Sequence, residues 1–335
     1  MFRSLNSYLI DFTGLVVIGV LLCLVSAGGS LAAGLPFQIP ASVQQLNTIF
    51  ISILIEALPF VLIGVLIAGF IQIFVTEEHI RSLFPKNRFS GVIVSCLLGA
   101  CFPACECGIV PIVRRLVSKG VPIYAGVGFL LTGPLINPIV ILSTFMAFGN
   151  DLRMAVLRVA VGFAAAVIIA FAISMMFRSS QLKTESSITA AHCAHSGRQS
   201  PFSEKLFDML KHAVDEFFDM GRFLIIGALI AALVQTYLPL KSLFLFGGGM
   251  LDSALVMMGL AYFLSLCSEA DAFIGASFSN LFPSSSILAF LVYGPMLDLK
   301  NTVMMLHAFK PKFVICLSVL ITVVVYVCIK FVSLL

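Results

Sequence analysis

Long stretches without a charged residue recur along most of this chain. They cover residues 12–55, 57–76, 89–105, 120–150, 159–177, 223–240, 253–268, 272–297 and 313–329. A helix needs about 20 apolar residues to cross the hydrocarbon core of a bilayer. The composition agrees, because 60% of the 335 residues are hydrophobic and 11% are charged, whereas soluble domains carry about 25% charged residues. The sequence therefore predicts an all-α polytopic membrane protein, with about seven full spans plus two broken or re-entrant segments.

One long polar segment, residues 178–212, divides the apolar part of the chain into two halves. It is rich in Ser, Thr and Lys, which is typical of a loop outside the membrane. We therefore expect four units along the chain. They are an N-terminal transmembrane helix and loop (1–45), a first transmembrane repeat (46–178), a cytoplasmic linker (179–205) and a second transmembrane repeat (206–335).

The two halves share a pattern that indicates internal duplication. Residues 63–72 align without gaps on residues 226–235, and polar or Gly-Pro positions follow in the same order in both halves. The matched positions are Glu56 with Asp219, Glu106 with Glu269, Gly133-Pro134 with Gly294-Pro295, and Asn137 with Asp298. We expect Glu56 and Asp219 to lie near the starts of equivalent helices.

The distribution of basic residues favours an inverted repeat. Lys and Arg are enriched in cytoplasmic loops, and this rule places Lys300 and the 178–212 segment inside. The helix at 49–75 then runs from outside to inside, and its copy at 222–240 runs the other way. Many secondary transporters use inverted repeats with broken helices at the midplane to build alternating access. A parallel arrangement with nine spans is the alternative.

The strongest local motif is Cys101-Phe102-Pro103-Ala104-Cys105-Glu106-Cys107-Gly108, within an apolar region. Pro103 and Gly108 predict a broken helix, and backbone freed at membrane depth must line a cavity or lie buried in protein. Thiolates at Cys101, Cys105 and Cys107 would suit a soft metal such as Cu(I) or Zn(II), or trivalent arsenic. Cysteines that only pack beside a kink, or that have a redox role, are the alternatives.

Carboxylates accompany the cysteines in both halves. An ionisable residue inside the membrane is costly and commonly functional, so we expect Glu106 and Glu269 to couple protons or coordinate a cation. Glu269 lies close to Cys267 and Asp271 in sequence, and Cys267 is a further candidate ligand.

Gly-Pro breaks in corresponding positions of two halves are the best sequence indication of a substrate site. Gly133-Pro134 precedes Asn137, and Gly294-Pro295 precedes Asp298. Asn137 and Asp298 would either present an oxygen to the substrate or cap the following half-helix. Kinks that serve only packing are the alternative.

Three further clusters lie in polar regions. His192, Cys193 and His195 have metal-ligand side chains at close spacing in the linker, and an accessory metal site is one interpretation. An incidental cluster of these residues is the alternative. Basic residues after the cysteine motif predict a topological anchor, and an acidic stretch predicts a solvated helix face. The basic residues are Arg114, Arg115 and Lys119, and the acidic residues are Asp208, Asp215, Glu216 and Asp219.

The cysteine motif and the segment from Gly133-Pro134 to Asn137-Pro138 resemble the predicted permease family that includes the ArsP-type organoarsenical exporters. The resemblance runs from about residue 46 to the end of the chain, and it carries over to Cys101, Pro103, Cys105, Cys107, Gly108, Gly133, Pro134 and Asn137. It implies efflux across a bacterial inner membrane. Many members have Ser where this chain has Glu106, and a carboxylate favours a cationic metal over a neutral organoarsenical.

These patterns together predict a permease that exports a soft metal or metalloid by alternating access, with proton coupling. The chain has no G-x-x-x-x-G-K-[ST] nucleotide-binding loop, and we expect neither an enzyme nor a cofactor. Expected partners are the substrate, membrane lipid, and either a second copy or an accessory metal-binding protein, with no nucleic acid. A membrane protein of thiol or sulfur redox chemistry, and a subunit of a multicomponent transporter, are the alternatives.

Overall fold

The computed structural model describes residues 40–75, 85, 87–102, 105–177, 179–183, 202–237 and 252–334. The helix predicted near the N-terminus, Pro103, and the cluster His192, Cys193 and His195 lie outside the described residues. The described helices are α1 (Ala41–Phe74), α2 (Arg88–Ala100), α3 (Glu106–Ser118), α4 (Ile123–Thr132), α5 (Pro138–Ala147), α6 (Leu152–Met176), α7 (Phe202–Tyr237), α8 (Ser253–Leu264), α9 (Ser268–Ser277), α10 (Ser284–Met296), α11 (Leu299–Ala308) and α12 (Pro311–Leu334). No strand occurs among these residues, apart from an isolated bridge between Leu182 and Phe309.

The described part of the chain contains five helical segments that are long and apolar enough to cross a membrane. They are Ala41–Phe74, Leu152–Met176, Leu206–Tyr237, Ser284–Ala308 (which comprises α10 and α11) and Pro311–Leu334. Helix α12 is apolar on both its buried and its exposed face, since Leu317 and Ile321 are buried while Val319 and Val323 are exposed. A helix that is apolar on both faces fits a membrane span. The prediction of an all-α polytopic membrane protein is confirmed.

The helices break at the motifs that the sequence singled out. The first break separates α2 from α3 at 101–105, and the second separates α4 from α5 at 133–137. Corresponding breaks in the other half lie at 265–267 and 297–298. At the 265–267 break, Ser265 closes α8 in the left-handed conformation with φ +46°. All four breaks therefore lie at or next to the Cys-rich and Gly-Pro motifs.

Two predictions made from the sequence are wrong. The charge-free stretch 272–297 is not one span, because α9 ends at Ser277 and Pro283 precedes the start of α10; a proline disfavours helical geometry in the residue before it. Glu56 and Asp219 do not lie near helix starts, because α1 begins at Ala41 and α7 at Phe202. Both acids consequently lie well inside long helices.

Among the residues that the structure describes, each half follows the same order, with a long helix, four short helices and another long helix. Helices α1 and α7 pack along each other, and α3 and α11 pack between the halves. This order agrees with two repeats, but the inverted relation between them stays a prediction.

Glycines let two helix pairs approach backbone to backbone. A Cβ added to Gly64 of α1 would lie 2.2 Å from the carbonyl oxygen of Gly108 in α3. A Cβ added to Gly227 of α7 would lie 3.0 Å from Cα of Lys300 in α11. Small residues permit such close packing of membrane helices. These crossings fix the positions of α3 and α11, which carry Glu106 and Lys300.

Candidate functional site

The first helix break brings two cysteines and a glutamate into the protein interior. Glu106 is the first residue of α3, Cys105 precedes it at the N-cap, and Cys107 follows it. All three are buried, with only 1% of Glu106 exposed. Cys101, at the end of α2, is exposed. Cys101 therefore differs in exposure from the other two cysteines of the motif, and it does not line the cavity that lies beside them.

A small cavity of about 10 Å³ lies beside these residues, which is about the room that a single water molecule needs. Helices α1, α3 and α11 and the break before α9 contribute its walls. The lining residues are Ile53, Glu56, Ala57, Phe60, Cys105, Glu106, Cys107, Cys267 and Lys300. The cavity thus gathers three thiols, two carboxylates and one ammonium group from both halves of the chain.

The thiols of this cavity contact other cavity groups. Cys105 and Cys107 lie within hydrogen-bonding reach of each other. Cys267 lies within reach of the Glu56 carboxyl group on α1. Glu56 was not predicted as a site residue from the sequence, because its place in the site depends on the packing of α1 against the break before α9.

Lys300 is the residue at the centre of the charged part of the site. Its Nζ lies 3.0 Å from Oε1 of Glu106 and 2.7 Å from Oδ2 of Asp298. It also donates to the backbone carbonyl oxygens of Ser265, at 2.7 Å, and Leu266, at 3.1 Å. Lys300 is 3% exposed, so it is a buried residue of α11 and not a solvent-exposed charge, while its placement on the inner side of the membrane stays a prediction. The distribution of basic residues along the sequence could not reveal this burial, because it depends on the pairing of the lysine with carboxylates from both halves.

The polar residues that follow the two Gly-Pro motifs cap the next helices. The side chain of Asn137 accepts a hydrogen bond from the backbone N–H of Ile139 at 3.0 Å, and Asp298 accepts one from Asn301 at 2.6 Å. Both residues cap half-helices, and Asp298 also pairs with Lys300. Gly133 and Pro134 are buried in the break before α5, where a Cβ on Gly133 would lie 2.2 Å from Cδ1 of Ile109. Gly133, Pro134 and Asn137 do not line the cysteine cavity.

A second buried charge lies at the break before α9. Arg158 of α6 donates to Oγ1 of Thr144 at 2.7 Å and to the backbone oxygen of Ser268 at 3.0 Å. Asp271 is 1% exposed, and neither of its carboxylate oxygens has a hydrogen-bond partner. Glu269 is half-buried, and both acids act electrostatically on Arg158. Each half therefore supplies a basic residue to the broken helix of the other half.

An ion-pair network joins α3 to α7 and α11. Arg114 contacts Glu216 at 2.9 Å and Asp219 at 3.1 Å, and Arg115 also pairs with Glu216. Asp219 lies 2.8 Å from Nε2 of His307. The two arginines are each 7% exposed and Glu216 is 4% exposed. They are not merely a topological anchor and a solvated face, because the helices pack with these charges between them.

Among the residues that the structure describes, no group of three or more His, Cys, Asp or Glu side chains is arranged to hold a metal ion. The predicted metal set of Cys101, Cys105 and Cys107 therefore stays a prediction. Cys101 does not line the cavity, whereas Cys267 of the second half does.

This combination defines a class of protein. Apolar helices that are long enough to cross a membrane several times, broken around an interior cavity that holds charged groups, fit the framework of a membrane permease. A family model described as a predicted permease matches residues 42–332, and the chain belongs to that ArsP-type family. The resemblance drawn from the cysteine and Gly-Pro motifs is confirmed.

Two bacterial relatives cover most of the chain. The UPF0718 protein YcgR of Bacillus subtilis is 52% identical over 286 residues, which are 85% of this chain and 96% of the relative. A putative two-component membrane permease complex subunit of Streptococcus mutans is 44% identical over 280 residues, which are 83% of this chain and 91% of the relative. No solved structure gives a significant match.

Proposed function

We propose that this permease exports a soft metal or metalloid species across a bacterial inner membrane by alternating access, in exchange for protons. The substrate class is a Cu(I)- or Zn(II)-type cation, or a trivalent arsenical. The observation that carries the proposal is the cavity that gathers Cys105, Cys107 and Cys267 with Glu56 and Glu106.

The chemistry of the cavity supports a soft cation. Thiolates select soft ions, and carboxylates supply the negative charge that a dehydrated cation requires. Cys105 and Cys107 are the proposed primary ligands, and Cys101 would join them only after a movement of the α2–α3 break. In this proposal the broken segments that hold Gly133, Pro134, Asn137 and Asp298 shape the path along which the substrate passes.

The placement of the cavity supports alternating access. Cys105, Glu106 and Cys107 come from the first half, whereas Cys267 and Lys300 come from the second. A relative movement of the two halves would therefore separate the ligands and release the substrate. Transporters with broken helices at the interface between repeats operate in this way.

Proton coupling follows from the same ligands. Thiols and carboxylates must lose their protons to bind a cation, so binding releases protons and protonation releases the cation. Glu106 touches the cavity directly. Glu269 lies beside the second buried charge at Arg158 and would carry protons when the halves move.

A second candidate function is a membrane subunit of a multicomponent transporter. The Streptococcus mutans relative is named as a putative two-component membrane permease complex subunit, and by analogy a partner would supply either energy or the substrate. The accessory site at His192, Cys193 and His195 would then receive the ion from that partner. A second copy of the chain is the other proposed partner.

Uptake of Zn(II), Cd(II), Cu(I) and trivalent arsenicals into everted vesicles tests the proposal. We expect at least one of these species to accumulate in a thiol-reversible manner, and the double variant C105S/C107S to abolish the accumulation. Cys316→Ser is the matched control, because Cys316 lies half-buried on α12 and does not line the cavity. Transport that survives C105S/C107S unchanged would contradict the proposed ligands.

Proton exchange and the redox alternative have separate tests. An imposed pH gradient should change the rate of transport by the purified protein in liposomes, and no change would contradict proton exchange. The redox alternative predicts a dithiol–disulfide cycle of Cys105 and Cys107 in intact membranes, which thiol labelling before and after reduction would detect.

A further inference from the structure

We propose that Lys300 is a tethered cation that occupies the binding site when substrate is absent, and that a cationic substrate displaces its ammonium group from Glu106. This inference rests on the proposed function and names the residue that sets the affinity of the same site.

The surroundings of the ammonium group resemble those of a bound metal cation. Four oxygen atoms lie 2.7–3.1 Å from Nζ, two from the carboxylates of Glu106 and Asp298 and two from the backbone at the break after α8. Carboxylates together with carbonyl oxygens of unwound helices are the ligands that broken-helix transporters offer to cations. The chain thus fills a cation site with its own charge.

The same carboxylate serves both the lysine and the cavity. Glu106 uses Oε1 for Lys300, whereas its buried Oε2 has no hydrogen-bond partner. Cys105, Cys107 and Lys300 line the cavity together with this residue. A cation that enters beside the thiols would therefore meet a carboxylate that a positive charge already neutralises, and the two cations would compete.

The structure also allows the ammonium group to leave. The lysine stem is flexible. After Glu106 is lost, the backbone oxygens of Ser265 and Leu266 remain as hydrogen-bond acceptors and the carboxylate of Asp298 remains as an ion-pair partner. The backbone of Lys300 stays fixed, because Gly227 of α7 packs directly against its Cα. Only the side chain needs to move during the exchange.

Because of this exchange, a cation faces Glu106 whether or not substrate is bound. A buried carboxylate without a counter-charge is strongly unfavourable, so an empty site lacking the lysine would resist closing around Glu106. With Lys300 in place, both the empty and the loaded protein can pass through the closed state.

Binding of Cd²⁺ to the purified full-length chain in nanodiscs tests the inference, using isothermal titration calorimetry on the wild type, Lys300→Met, Lys300→Arg and Lys312→Met. A competitor that occupies the site about nine-tenths of the time weakens the apparent affinity about tenfold. We expect K300M to bind Cd²⁺ about tenfold more tightly than the wild type. K300R should match the wild type, and so should K312M, which removes an exposed lysine outside the site.

A second measurement needs no variant. Labelling of Lys300 by a small amine reagent, quantified by mass spectrometry relative to Lys312, should rise when saturating Cd²⁺ is added to the wild type. This readout applies even where K300M fails to fold.

The outcomes separate this inference from the proposed function. Thiol-dependent Cd²⁺ binding by the wild type, with no rise in Lys300 labelling, overturns the inference and leaves the proposed function standing. A folded K300M variant that binds Cd²⁺ no more tightly than the wild type has the same consequence. Absence of Cd²⁺ binding in both proteins contradicts the inference, and absence of every vesicle transport activity contradicts the proposed function.

Discussion

Lys300 of α11 and Glu106 of α3 form an ion pair across the two halves of the chain, with Nζ 3.0 Å from Oε1. Both side chains are almost fully buried, at 4% and 2% exposure. Asp298 forms an ion pair with the same ammonium group, so one lysine contacts a carboxylate from each half. Loss of the lysine would leave two buried acids without a counter-charge.

Lys300→Met should lower the stability of the substrate-free protein. Removal of one partner of a buried ion pair costs about 3–5 kcal/mol, because the other charge stays buried. We expect a lower Tm in detergent, a partial recovery in the double variant K300M/E106Q, and recovery of K300M by Cd²⁺. A Tm of K300M equal to that of the wild type would show that the pair does not stabilise the fold.

Gly64→Ala should displace α3 from α1. The added methyl group would lie 2.2 Å from the backbone oxygen of Gly108, and backbone cannot yield as a side chain can. We expect a loss of about 1–3 kcal/mol, the usual range for overpacking, together with reduced transport. Gly259→Ala is the control, since its new Cβ has no neighbour within 4 Å; equal Tm values for the two variants would contradict the close crossing.

Arg158→Met should destabilise the break before α9. The guanidinium group bonds both Thr144 and the backbone oxygen of Ser268, and a buried acceptor left without its donor costs about 1–3 kcal/mol. Thermal unfolding followed by circular dichroism measures the change. Arg153→Met, which removes an exposed arginine from the same helix, should leave the Tm unaltered.

Glu216→Gln should weaken the contact between α3 and α7. Glu216 accepts from Arg114 and Arg115 and is buried, whereas its neighbour Asp215 is exposed. Breaking the buried pairs should cost about 3 kcal/mol, at the low end for buried ion pairs because Gln retains a hydrogen-bond acceptor. Chemical denaturation of E216Q and D215N compares the two positions, and we expect D215N to unfold as the wild type does.

Cysteine labelling should distinguish the three cysteines of the motif. Cys101 is exposed, whereas Cys105 and Cys107 are buried. In variants that retain one of the three, a small maleimide should modify Cys101 fastest, as read by mass spectrometry. Faster modification of Cys105 than of Cys101 would contradict the arrangement of the α2–α3 break.

The sequence predicted the helix breaks because their causes are local. Pro134 and Pro138 flank the break before α5, and Asn137 has the side chain that caps a helix. The cysteine motif marked the start of α3 in the same way. Glu106 and Cys107 were recognised because a charge or a thiol cluster inside an apolar region is conspicuous in any sequence.

Lys300, Arg158 and Glu56 were not recognised, for a common reason. The role of each residue depends on a partner that is distant in sequence: Glu106 for Lys300, Ser268 for Arg158, and Cys267 for Glu56. Nothing local distinguishes a lysine that marks a cytoplasmic loop from one that neutralises a buried acid. The burial of Arg114 and Arg115 was missed on the same grounds.

Hydrophobicity and proline chemistry, which act over one or two helical turns, were enough to determine a helical membrane protein with interrupted spans and thiols at one interruption. Only the tertiary structure decided which charges meet in its interior. The packing of α1 against α3 at Gly64 and of α7 against α11 at Gly227 brings Glu106 and Lys300 together. Electrostatic pairing depends on distance in space, and a linear chain does not contain that distance until its helices have packed.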